Sequence, residues 1–280
     1  MGYNMKKEQV KKAEIFLELH HSDKILILPN IWDILGAKLL EKYGFKAVAT
    51  ASSSIAFANG FKDGQQIGFD MLLGILASIC SSTHLPVTAD IERGYAKDNN
   101  ELSDNIKRLI KCGVIGINIE DSVIEGGELV SIEQQCERIK LIRQVSNQQG
   151  IPLFINARCD IYLCKNFNGD HVSSAIERAA NYKEAGADCF YPILCKPIDI
   201  EKIYSKVDLP VNVLATSNLM PIKKLEQIGI SRLSLGPSLL KSAITKMREV
   251  LTALINYDGY ESFTNSEIIS TSEIIEMVSK

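Results

Sequence analysis

From residue 24 onward, short apolar runs rich in β-branched residues alternate with longer stretches in which apolar residues recur every three or four positions. The short runs predict eight strands, and the longer stretches predict the helices between them. The strands are expected at Lys24–Asn30, Lys46–Ser52, Pro86–Ile91, Gly116–Asp121, Pro152–Arg158, Cys189–Ile193, Val211–Ala215 and Arg232–Gly236. The helices between them are expected at Asp33–Lys42, Asp70–Ser82, Asn99–Lys111, Ser131–Asn147 and His171–Ala185.

The eight predicted strands have nearly continuous apolar cores, which is typical of parallel strands that are covered on both faces. Their number and the length of 280 residues predict an α/β protein with a single (β/α)8 TIM-type barrel. An open doubly wound sheet is the alternative. Since no change of composition divides the chain, we expect one domain over residues 1–280, with the barrel at about 20–240. The helical extension at about 241–280 is surplus to a barrel, and we expect it to pack on a neighbouring subunit.

Composition excludes several classes of partner. The chain is 46% apolar and 23% charged, which is ordinary for a globular protein, and its net charge of -3 gives no reason to expect nucleic acid. No apolar run approaches the roughly 20 residues that span a bilayer, and the first residues lack the apolar core of a signal peptide. Seven scattered cysteines without paired spacings fit a reducing compartment. We therefore expect a cytoplasmic protein with no membrane partner.

Acidic side chains lie at the carboxyl ends of two successive predicted strands. Asp90 and Glu92 end the third strand, and the period-two alternation of a strand predicts that they point to the same face. Glu120 ends the next strand and can meet them. Three converging carboxylates repel one another unless a divalent cation or a strong base lies between them. The pattern therefore predicts a Mg²⁺ site formed by these three acids, with Mn²⁺ as the alternative ion, and hence a metal-dependent enzyme.

Two further features at the same end predict an anion-binding site. Arg158 is the only arginine that ends a predicted strand, and its guanidinium suits a carboxylate or phosphate group. A salt bridge from Arg158 to Asp160 or Glu120 is the competing interpretation. The backbone amides around residues 51–53 would accept a second anionic group, although serine-rich turns are common. Asp121 is expected to point away from this site. Together the features describe a site for a small dianion bound beside Mg²⁺ through an oxo or enolate oxygen.

Short motifs follow one another along the predicted barrel in a set order. They are Pro29–Asp33 (PNIWD), Gly44–Phe45, Gly60–Gly64 (GFKDG), Ala89–Tyr95 (ADIERGY), Ile119–Asp121 (IED), Asn156–Arg158 (NAR), Gly186–Asp188 (GAD) and Leu235–Pro237 (LGP). Through these motifs the chain resembles the isocitrate lyase/phosphoenolpyruvate mutase superfamily over about residues 20–240, including its 2-methylisocitrate lyases and phosphonomutases. The resemblance implies a (β/α)8 barrel, Mg²⁺, 2-oxo acid or phosphonate substrates, and homo-oligomers, dimers or tetramers, with exchanged carboxyl-terminal helices.

The resemblance also implies roles for individual residues. Asp90, Glu92 and Glu120 match the metal-binding acids, with a glutamate at 92 where the family has aspartate. Two residues are the catalytic candidates: Asp63 matches an aspartate that approaches the metal through solvent, and Arg158 matches the arginine that grips the anionic end of the substrate. The other substrate-binding candidates are Thr50, Ala51, Ser52, Ser53 and Asn212.

The segment that follows Asp121 departs from the family. Ser122–Val130 has no cysteine where the lyases of the family carry one, and it is shorter than the lids of the lyases and mutases. Isocitrate or methylisocitrate cleavage by the usual mechanism is therefore disfavoured, as is a mutase reaction that needs a lid to exclude water. Tyr95, Glu125 and Glu128 are the remaining candidates for a general acid or base.

Three functions are left open by these observations. The first is a Mg²⁺-dependent lyase or decarboxylase that cleaves a carbon–carbon bond in a small 2-oxo acid, since a metal, Arg158 and an anion pocket suffice to stabilise the enolate. The second is carbon–phosphorus chemistry, as a phosphonomutase or phosphonate hydrolase. The third is a non-catalytic barrel that binds a 2-oxo acid. Clustered acids weigh against the third, because a purely structural barrel gains little from them.

Overall fold

A computed structural model describes residues 3–123, 127–264 and 268–279. These ranges contain nine strands and eleven α-helices. The strands are β1 (Leu26–Leu28), β2 (Asn30–Ile31), β3 (Val48–Thr50), β4 (Val87–Asp90), β5 (Gly116–Glu120), β6 (Phe154–Cys159), β7 (Cys189–Pro192), β8 (Asn212–Leu214) and β9 (Arg232–Ser234). The helices are α1 (Tyr3–His20), α2 (Ile34–Lys42), α3 (Ser52–Ala58), α4 (Phe69–Ser82), α5 (Asn99–Lys111), α6 (Ile132–Gln149), α7 (His171–Ala185), α8 (Pro197–Tyr204), α9 (Ile222–Ile228), α10 (Ser238–Ile255) and α11 (Thr271–Val278).

All pairings between these strands are parallel. One sheet has the order β2-β3-β4-β5-β6-β7, and the other has the order β1-β9-β8. Pro29, which has no amide hydrogen to donate, lies between β1 and β2, so the two halves of the first predicted strand pair with different neighbours. A parallel bridge between Phe190 and Val211 connects β7 to the start of β8. The chain thus has an α/β fold with parallel sheets, as predicted, and the arrangement is consistent with a TIM-type barrel.

Each of the eight predicted strands contains observed strand residues, and each of the five predicted helices is present. Four helices were not predicted: α1, α3, α8 and α9. The strand expected at Lys46–Ser52 extends too far, because β3 ends at Thr50 and Ser52 already begins α3. The carboxyl end of β3 is therefore continued by a helix, and the predicted serine-rich turn is the first turn of that helix.

Helix α1 packs across the amino-terminal end of the strands. Phe16 of this helix is fully buried and joins Leu28 and Phe154 in one apolar cluster. The His20 ring lies 4.2 Å from the Phe154 ring, centroid to centroid, and its Nδ1 is 2.8 Å from the carbonyl oxygen of Phe16. This end of the structure is therefore closed by side chains, so the opposite, carboxyl-terminal end is the one that is free to bind a ligand.

Helix α10 extends away from the sheets, and most of its surface is exposed. Leu240 is its only buried residue, whereas four large apolar side chains spaced three or four residues apart are exposed. They are Ile244, Met247, Leu251 and Leu254, and the exposed fractions of Met247 and Leu251 are 61% and 62%. Helix α11 returns to pack on α2, where Lys42 and Glu273 form an ion pair at 2.7 Å. Among the residues that the structure describes, no helix has both the length and the apolarity needed to cross a membrane.

Candidate active site

Asp90 ends β4 and is held by residues of the neighbouring β3–α3 connection. The Ser52 hydroxyl donates a hydrogen bond to Asp90 Oδ2 at 2.9 Å, and the Ser52 amide nitrogen lies 3.4 Å from the same oxygen. The Asp90 amide in turn donates to Thr50 Oγ1 at 3.2 Å. Ala51 is the N-cap of α3, so the amides of Ser52 and Ser53 belong to a first turn that has no intrahelical acceptors. The predicted substrate-binding turn therefore lies directly beside Asp90.

Glu92 is oriented by a different means from the one predicted. Strand β4 ends at Asp90 and Glu92 has a φ of +50°, so the alternation of a strand does not extend to it, and that part of the prediction is wrong. Glu92 Oε1 accepts hydrogen bonds from the Gln65 amide at 2.9 Å and from the Tyr95 hydroxyl at 2.8 Å. Burial raises the pKa of Glu92 to about 7, and the bond from Tyr95 opposes this rise. Its carbonyl oxygen accepts the Glu120 amide at 2.9 Å, which joins this segment to β5.

Glu120 lies between two arginines. Arg158 Nη1 is 2.8 Å from Oε2 of Glu120, and Arg93 Nη1 is 3.0 Å from Oε1. Burial raises the pKa of Glu120 to about 8, while the charge of Arg158 lowers it. Arg158 also binds Asp160 bidentately, at 2.6 Å from Nε and 2.9 Å from Nη2. Both salt bridges of the competing interpretation are therefore formed, yet they use only three of the five N–H groups of Arg158 and leave two for a ligand.

Asp121 points away from this site, as predicted, and supports it from behind. Its side chain is 0% exposed and accepts hydrogen bonds from Arg178 of α7 at 3.0 Å and from the Tyr182 hydroxyl at 2.6 Å. Its other oxygen accepts the amide of Asp160 at 2.8 Å. Because Asp160 holds the guanidinium of Arg158, the buried Asp121 fixes the orientation of the arginine at the site.

Asp90 lies near enough to add to the effect of burial and raise the pKa of both Glu92 and Glu120, but these three predicted metal ligands do not form a closed set. Among the described residues, no group of three or more His, Cys, Asp or Glu side chains is arranged to hold a metal ion. Both oxygens of Glu120 contact arginines, and Glu92 contacts Tyr95. Asp90 is the least buried of the three, since it is half-buried whereas Glu92 and Glu120 are buried, and its Oδ1 has one amide contact at 3.4 Å. Asp63 lies near enough for Asp90 to raise its pKa, in addition to a larger effect of burial.

The donor set nevertheless fits one hard divalent cation. In the part of the chain that the structure describes, Asp63, Asp90 and Glu92 form no ion pair with a lysine, arginine or histidine. Mg²⁺ in proteins is usually bound by only one or two carboxylates and keeps several waters. An open carboxylate oxygen surrounded by further unpaired acids suits that mode of binding better than a closed site with three protein ligands.

The candidates for a general acid or base differ in position. The Tyr95 hydroxyl contacts Glu92 at the site. Glu128 is exposed and precedes Leu129, which forms an antiparallel bridge with Ser122. Glu125 lies outside the described residues. Tyr95 is therefore the candidate that the structure brings closest to the predicted metal-binding acids.

Two arginines of this region were not among the predicted site residues. Arg93, which pairs with Glu120, directly follows Glu92 in the motif Ala89–Tyr95, so its position beside the acids was visible in the sequence. Arg232 begins the last strand, whereas the search for polar residues considered the ends of the strands. It is 0% exposed, and its Nε donates to Ser234 Oγ at 3.1 Å.

The predicted substrate-binding residue Asn212 belongs to the same buried group as Arg232. The Ser234 hydroxyl donates to Asn212 Oδ1 at 3.1 Å, which links the three side chains in a row. Asn212 is 0% exposed, so its side chain is not at the surface of the site.

Comparisons with known proteins agree on the family of this chain. The family model described as phosphoenolpyruvate phosphomutase matches residues 16–255. The chain is 31% identical over 222 residues to an uncharacterized protein of Mycobacterium tuberculosis, which covers 79% of this chain and 81% of the relative. It is 26% identical to 2-methylisocitrate lyase of Halalkalibacterium halodurans, over 98% of this chain and 91% of the lyase.

Solved structures also superpose on this chain. A Burkholderia cenocepacia protein that is provisionally assigned as a phosphonomutase superposes with a TM-score of 0.82 at 34% identity, covering 86% of this chain and 99% of that protein. Phosphonopyruvate hydrolase in complex with oxalate and Mg²⁺ superposes with a TM-score of 0.81 at 21% identity, covering 95% and 94% of the two chains.

Proposed function

Because the chain belongs to the phosphoenolpyruvate phosphomutase family, we propose that it is a Mg²⁺-dependent lyase or decarboxylase that acts on a small 2-oxo acid or its enolate. Its homologues are lyases and phosphomutases, so it is an enzyme of the lyase–mutase type. The observation that carries the finer proposal is the imbalance of charge at the site. Asp63, Asp90 and Glu92 lie without cationic partners in the described structure, next to a buried arginine with two free N–H groups.

Asp90 is the residue that we expect to bind the cation directly, because it is the least buried of the three predicted ligands and its Oδ1 has only one long amide contact. Glu92, Glu120 and Asp63 would act through water, since the first two already accept strong hydrogen bonds. Mg²⁺, or Mn²⁺ in its place, would supply stabilisation of negative charge on the oxo oxygen of the substrate. A related fold has been crystallised with oxalate and Mg²⁺, which supports the choice of ion.

The substrate would be held by groups of the chain on both sides of Asp90. The two unused N–H groups of Arg158 would donate to a substrate carboxylate, and Asp160 keeps that guanidinium in place. The first-turn amide of Ser53 would donate to a second oxygen, since the Ser52 amide already contacts Asp90. These donors need no rearrangement during the reaction, which is the condition for strong electrostatic stabilisation.

Tyr95 is the group that we expect to return a proton to the enolate carbon. Burial keeps its pKa well above the usual value, so its hydroxyl keeps its proton at neutral pH. The bond from this hydroxyl to Glu92, whose pKa is raised to about 7, would allow the proton to be replaced from solvent through Glu92. Decarboxylation needs no further acid or base, which agrees with the absence of a cysteine from Ser122–Val130.

Carbon–phosphorus chemistry is the second candidate. It is supported by a relative named phosphoenolpyruvate phosphomutase in Tetrahymena pyriformis, which is 25% identical over 77% of this chain. The shortness of the segment Ser122–Val130 weighs against it, because a mutase must shield its intermediate from water. A non-catalytic 2-oxo acid-binding barrel is the remaining alternative.

The test combines binding with turnover. Oxaloacetate, 2-methylisocitrate, isocitrate and phosphonopyruvate are incubated with the protein and Mg²⁺, and release of pyruvate or glyoxylate is followed. Oxalate binding is measured in parallel by the shift of the melting temperature, with and without Mg²⁺. The Asp90→Asn variant should lose Mg²⁺-dependent oxalate binding, whereas Asp104→Asn, which makes the same change on the exposed face of α5, should keep it.

Each outcome distinguishes the candidates. Pyruvate release from oxaloacetate that is lost in Asp90→Asn supports the decarboxylase proposal. Conversion of phosphonopyruvate alone, to pyruvate by a hydrolase or to phosphoenolpyruvate by a mutase, supports the second candidate. Oxalate binding without any turnover favours the non-catalytic barrel. An Asp90→Asn protein that binds Mg²⁺ and oxalate as the unmodified protein does would remove the proposed metal site.

We further propose that the two parallel sheets close into one (β/α)8 barrel within a single domain, and that the protein is a homo-oligomer. The β7–β8 bridge and the continuity of β1 with β2 across Pro29 support closure. The exposed apolar stripe of α10 supports an exchange of carboxyl-terminal helices between subunits. A cytoplasmic location is proposed on the composition and on the seven cysteines, which are all free.

A further inference from the structure

Cys80 and Cys112 lie against each other at the ends of two neighbouring helices. Cys80 belongs to the last turn of α4, and Cys112 is the C-cap of α5. The Cys80 thiol donates a hydrogen bond to the sulfur of Cys112. Cys112 Sγ lies 3.1 Å from the carbonyl oxygen of Leu109, so the end of its own helix fixes its position. The two sulfur atoms are therefore within hydrogen-bond distance of each other.

The close approach of the two helix ends depends on Gly113. The chain turns back after α5 at this residue, whose φ of +106° is rarely adopted by residues with a side chain. A Cβ atom at this position would lie 3.1 Å from Cys80 Cβ, which is closer than an ordinary van der Waals contact. Glycine thus allows the end of α5 to approach Cys80. A disulfide requires such proximity, because its two Cβ atoms are only about 3.5–4.5 Å apart.

The two thiols are accessible and have a basic environment. Both cysteines are half-buried and line an open cavity of about 410 Å³ between α1 and the ends of α4 and α5, with three lysines among the lining residues. The hydrogen bond from the Cys80 thiol lowers the pKa of Cys112, although burial opposes this effect. The same hydrogen bond and burial raise the pKa of Cys80, and the charge of Lys12 opposes that rise. Because thiolates rather than thiols react with oxidants, Cys112 is the sulfur that reacts first.

Other cysteines of the chain have a less reactive environment. Burial raises the pKa of Cys189 and of Cys195 to about 12, and Cys159 is 0% exposed. Buried thiols of this kind are inert. A structural metal site would need more ligands than two thiolates, and no group of three or more suitable side chains is found within the described ranges. Oxidation is therefore the chemistry that suits Cys80 and Cys112.

We propose that Cys80 and Cys112 form a redox-active dithiol, which hydrogen peroxide converts to an intramolecular disulfide. In the first step the Cys112 thiolate attacks the peroxide: an S–O bond forms, the O–O bond breaks, and the leaving hydroxide takes up a proton to become water. In the second step the sulfur of Cys80 attacks that of Cys112: the S–S bond forms, the S–O bond breaks, and the hydroxyl leaves as water with the proton of Cys80. The two sulfur atoms lose two electrons, and the peroxide gains both.

The disulfide would close a loop that contains the acidic motif of the candidate active site. The segment between the two cysteines includes β4 and Ala89–Tyr95. Both cysteines precede the strand that follows them, β4 and β5, so they lie at the opposite end of these strands from Asp90 and Glu120. The dithiol is therefore separate from the candidate active site, and the proposal does not depend on the proposed function. Disulfides in a reducing compartment are usually transient and serve catalysis or redox sensing.

The test uses the reduced, folded, full-length protein. It is treated with hydrogen peroxide, the remaining thiols are blocked with N-ethylmaleimide, and the protein is cleaved with trypsin and a glutamate-specific protease, which separates Cys112 from Cys136. Mass spectrometry without reduction should find the peptides of Cys80 and Cys112 joined, and the number of free thiols should fall by two from the seven of the sequence. The melting temperature should rise by about 5–10 °C, because the cross-link constrains the unfolded chain, and dithiothreitol should reverse the rise.

Three variants assign the two steps. Cys80→Ser should prevent the cross-link and leave Cys112 as a sulfenic acid, which dimedone traps. Cys112→Ser should prevent the cross-link without a dimedone adduct on Cys80. The matched control is Cys164→Ser, which removes another half-buried thiol, from the segment after β6, and should keep both the cross-link and the rise of the melting temperature.

Several results would overturn the proposal. One is a folded protein in which peroxide leaves Cys80 and Cys112 unlinked, or links other cysteines to the same extent. Another is a cross-link that forms no faster in the folded protein than in urea, since the contact between the two thiols would then contribute nothing. A Cys80→Ser protein without a dimedone adduct on Cys112 would refute Cys112 as the attacking sulfur. The first two comparisons use the unmodified protein, so they decide the matter even if a variant does not fold.

Discussion

Replacement of Asp121 by asparagine should show how much the buried ion pair behind the active site contributes to the free energy of unfolding. Asp121→Asn keeps the size of the side chain but removes the negative charge that compensates Arg178. The asparagine also places an N–H₂ group among donors, because Asp121 accepts from Arg178, the Tyr182 hydroxyl and the Asp160 amide. The group is 0% exposed, so water cannot take over the lost interactions.

The expected loss follows from that geometry. Removal of one partner from a buried ion pair costs about 3–5 kcal/mol of the free energy of unfolding, because the other charge stays buried and uncompensated. Native domains are stable by only about 5–15 kcal/mol, so the change should be a large part of the total. Because Asp121 also holds the Asp160 amide, the clamp on Arg158 should loosen, and oxalate should bind more weakly at a temperature where the variant is folded.

Urea unfolding followed by circular dichroism measures the effect as a shift of the midpoint at constant slope. The matched control is Asp208→Asn, which removes an equally charged partner, that of Lys183, at a position where the Asp208 side chain is 92% exposed. That change should cost less than about 1 kcal/mol. A loss for Asp121→Asn as small as the loss for Asp208→Asn would show that the buried charge is not the supporting element that we describe.

Three further predictions concern other parts of the chain. Burial lowers the pKa of His20 to about 3, so the folded state excludes a proton that the unfolded chain binds below its pKa of 6.5, and stability is lost as the pH falls through that window. Between pH 7 and pH 5 the loss from this group is about 2 kcal/mol, and a His20→Gln variant whose urea midpoint falls as steeply would contradict it. Gly229→Ala, at a φ of +99° and with the new Cβ 2.5 Å from Tyr204 Cζ, should cost about 2–3 kcal/mol in urea unfolding. Its control, Gly44→Ala at a φ of +78° with no atom within 4 Å, should cost about 1 kcal/mol, and equal losses would exclude the contact as a cause. Leu251→Glu on the exposed stripe of α10 should lower the molar mass measured by light scattering after size exclusion, and an unchanged mass would argue against α10 as the subunit contact.

The strand pattern of the fold could be predicted because each strand leaves a strong local signal. Runs such as that around Val87 or Ile117 are apolar on both faces, since parallel strands are covered on both sides. The spacing of Val10, Ala13 and Phe16 also indicates the apolar face of helix α1, but the many charged residues between them obscure this pattern in the sequence. Helices α8 and α9 have only eight and seven residues, which is too short for a clear period.

Residues of the candidate site could be predicted from the sequence, but the contacts between them could not. Asp90 and Arg158 could be found because both end strands. The orientation of Glu92 could not be predicted, because it depends on a left-handed backbone conformation that a glutamate gives no reason to expect. The pairing of Glu120 with Arg93 depends in the same way on how that segment turns back on β5. Arg232 gives no such signal, because it begins β9, whereas residues of a site at this face are expected where strands end.

The pairing of β1 with β9 has a consequence for how the protein is made. The Asn30 side chain accepts hydrogen bonds from the amides of Leu235 and Gly236, which follow it by 205 and 206 residues. Because β9 is the only strand paired with β1 in the described structure, a ribosome must translate most of the message before β1 finds its partner. Until then that strand has an unpaired edge, which invites association between nascent chains. Synthesis at about 5–20 residues per second makes this interval at least about ten seconds.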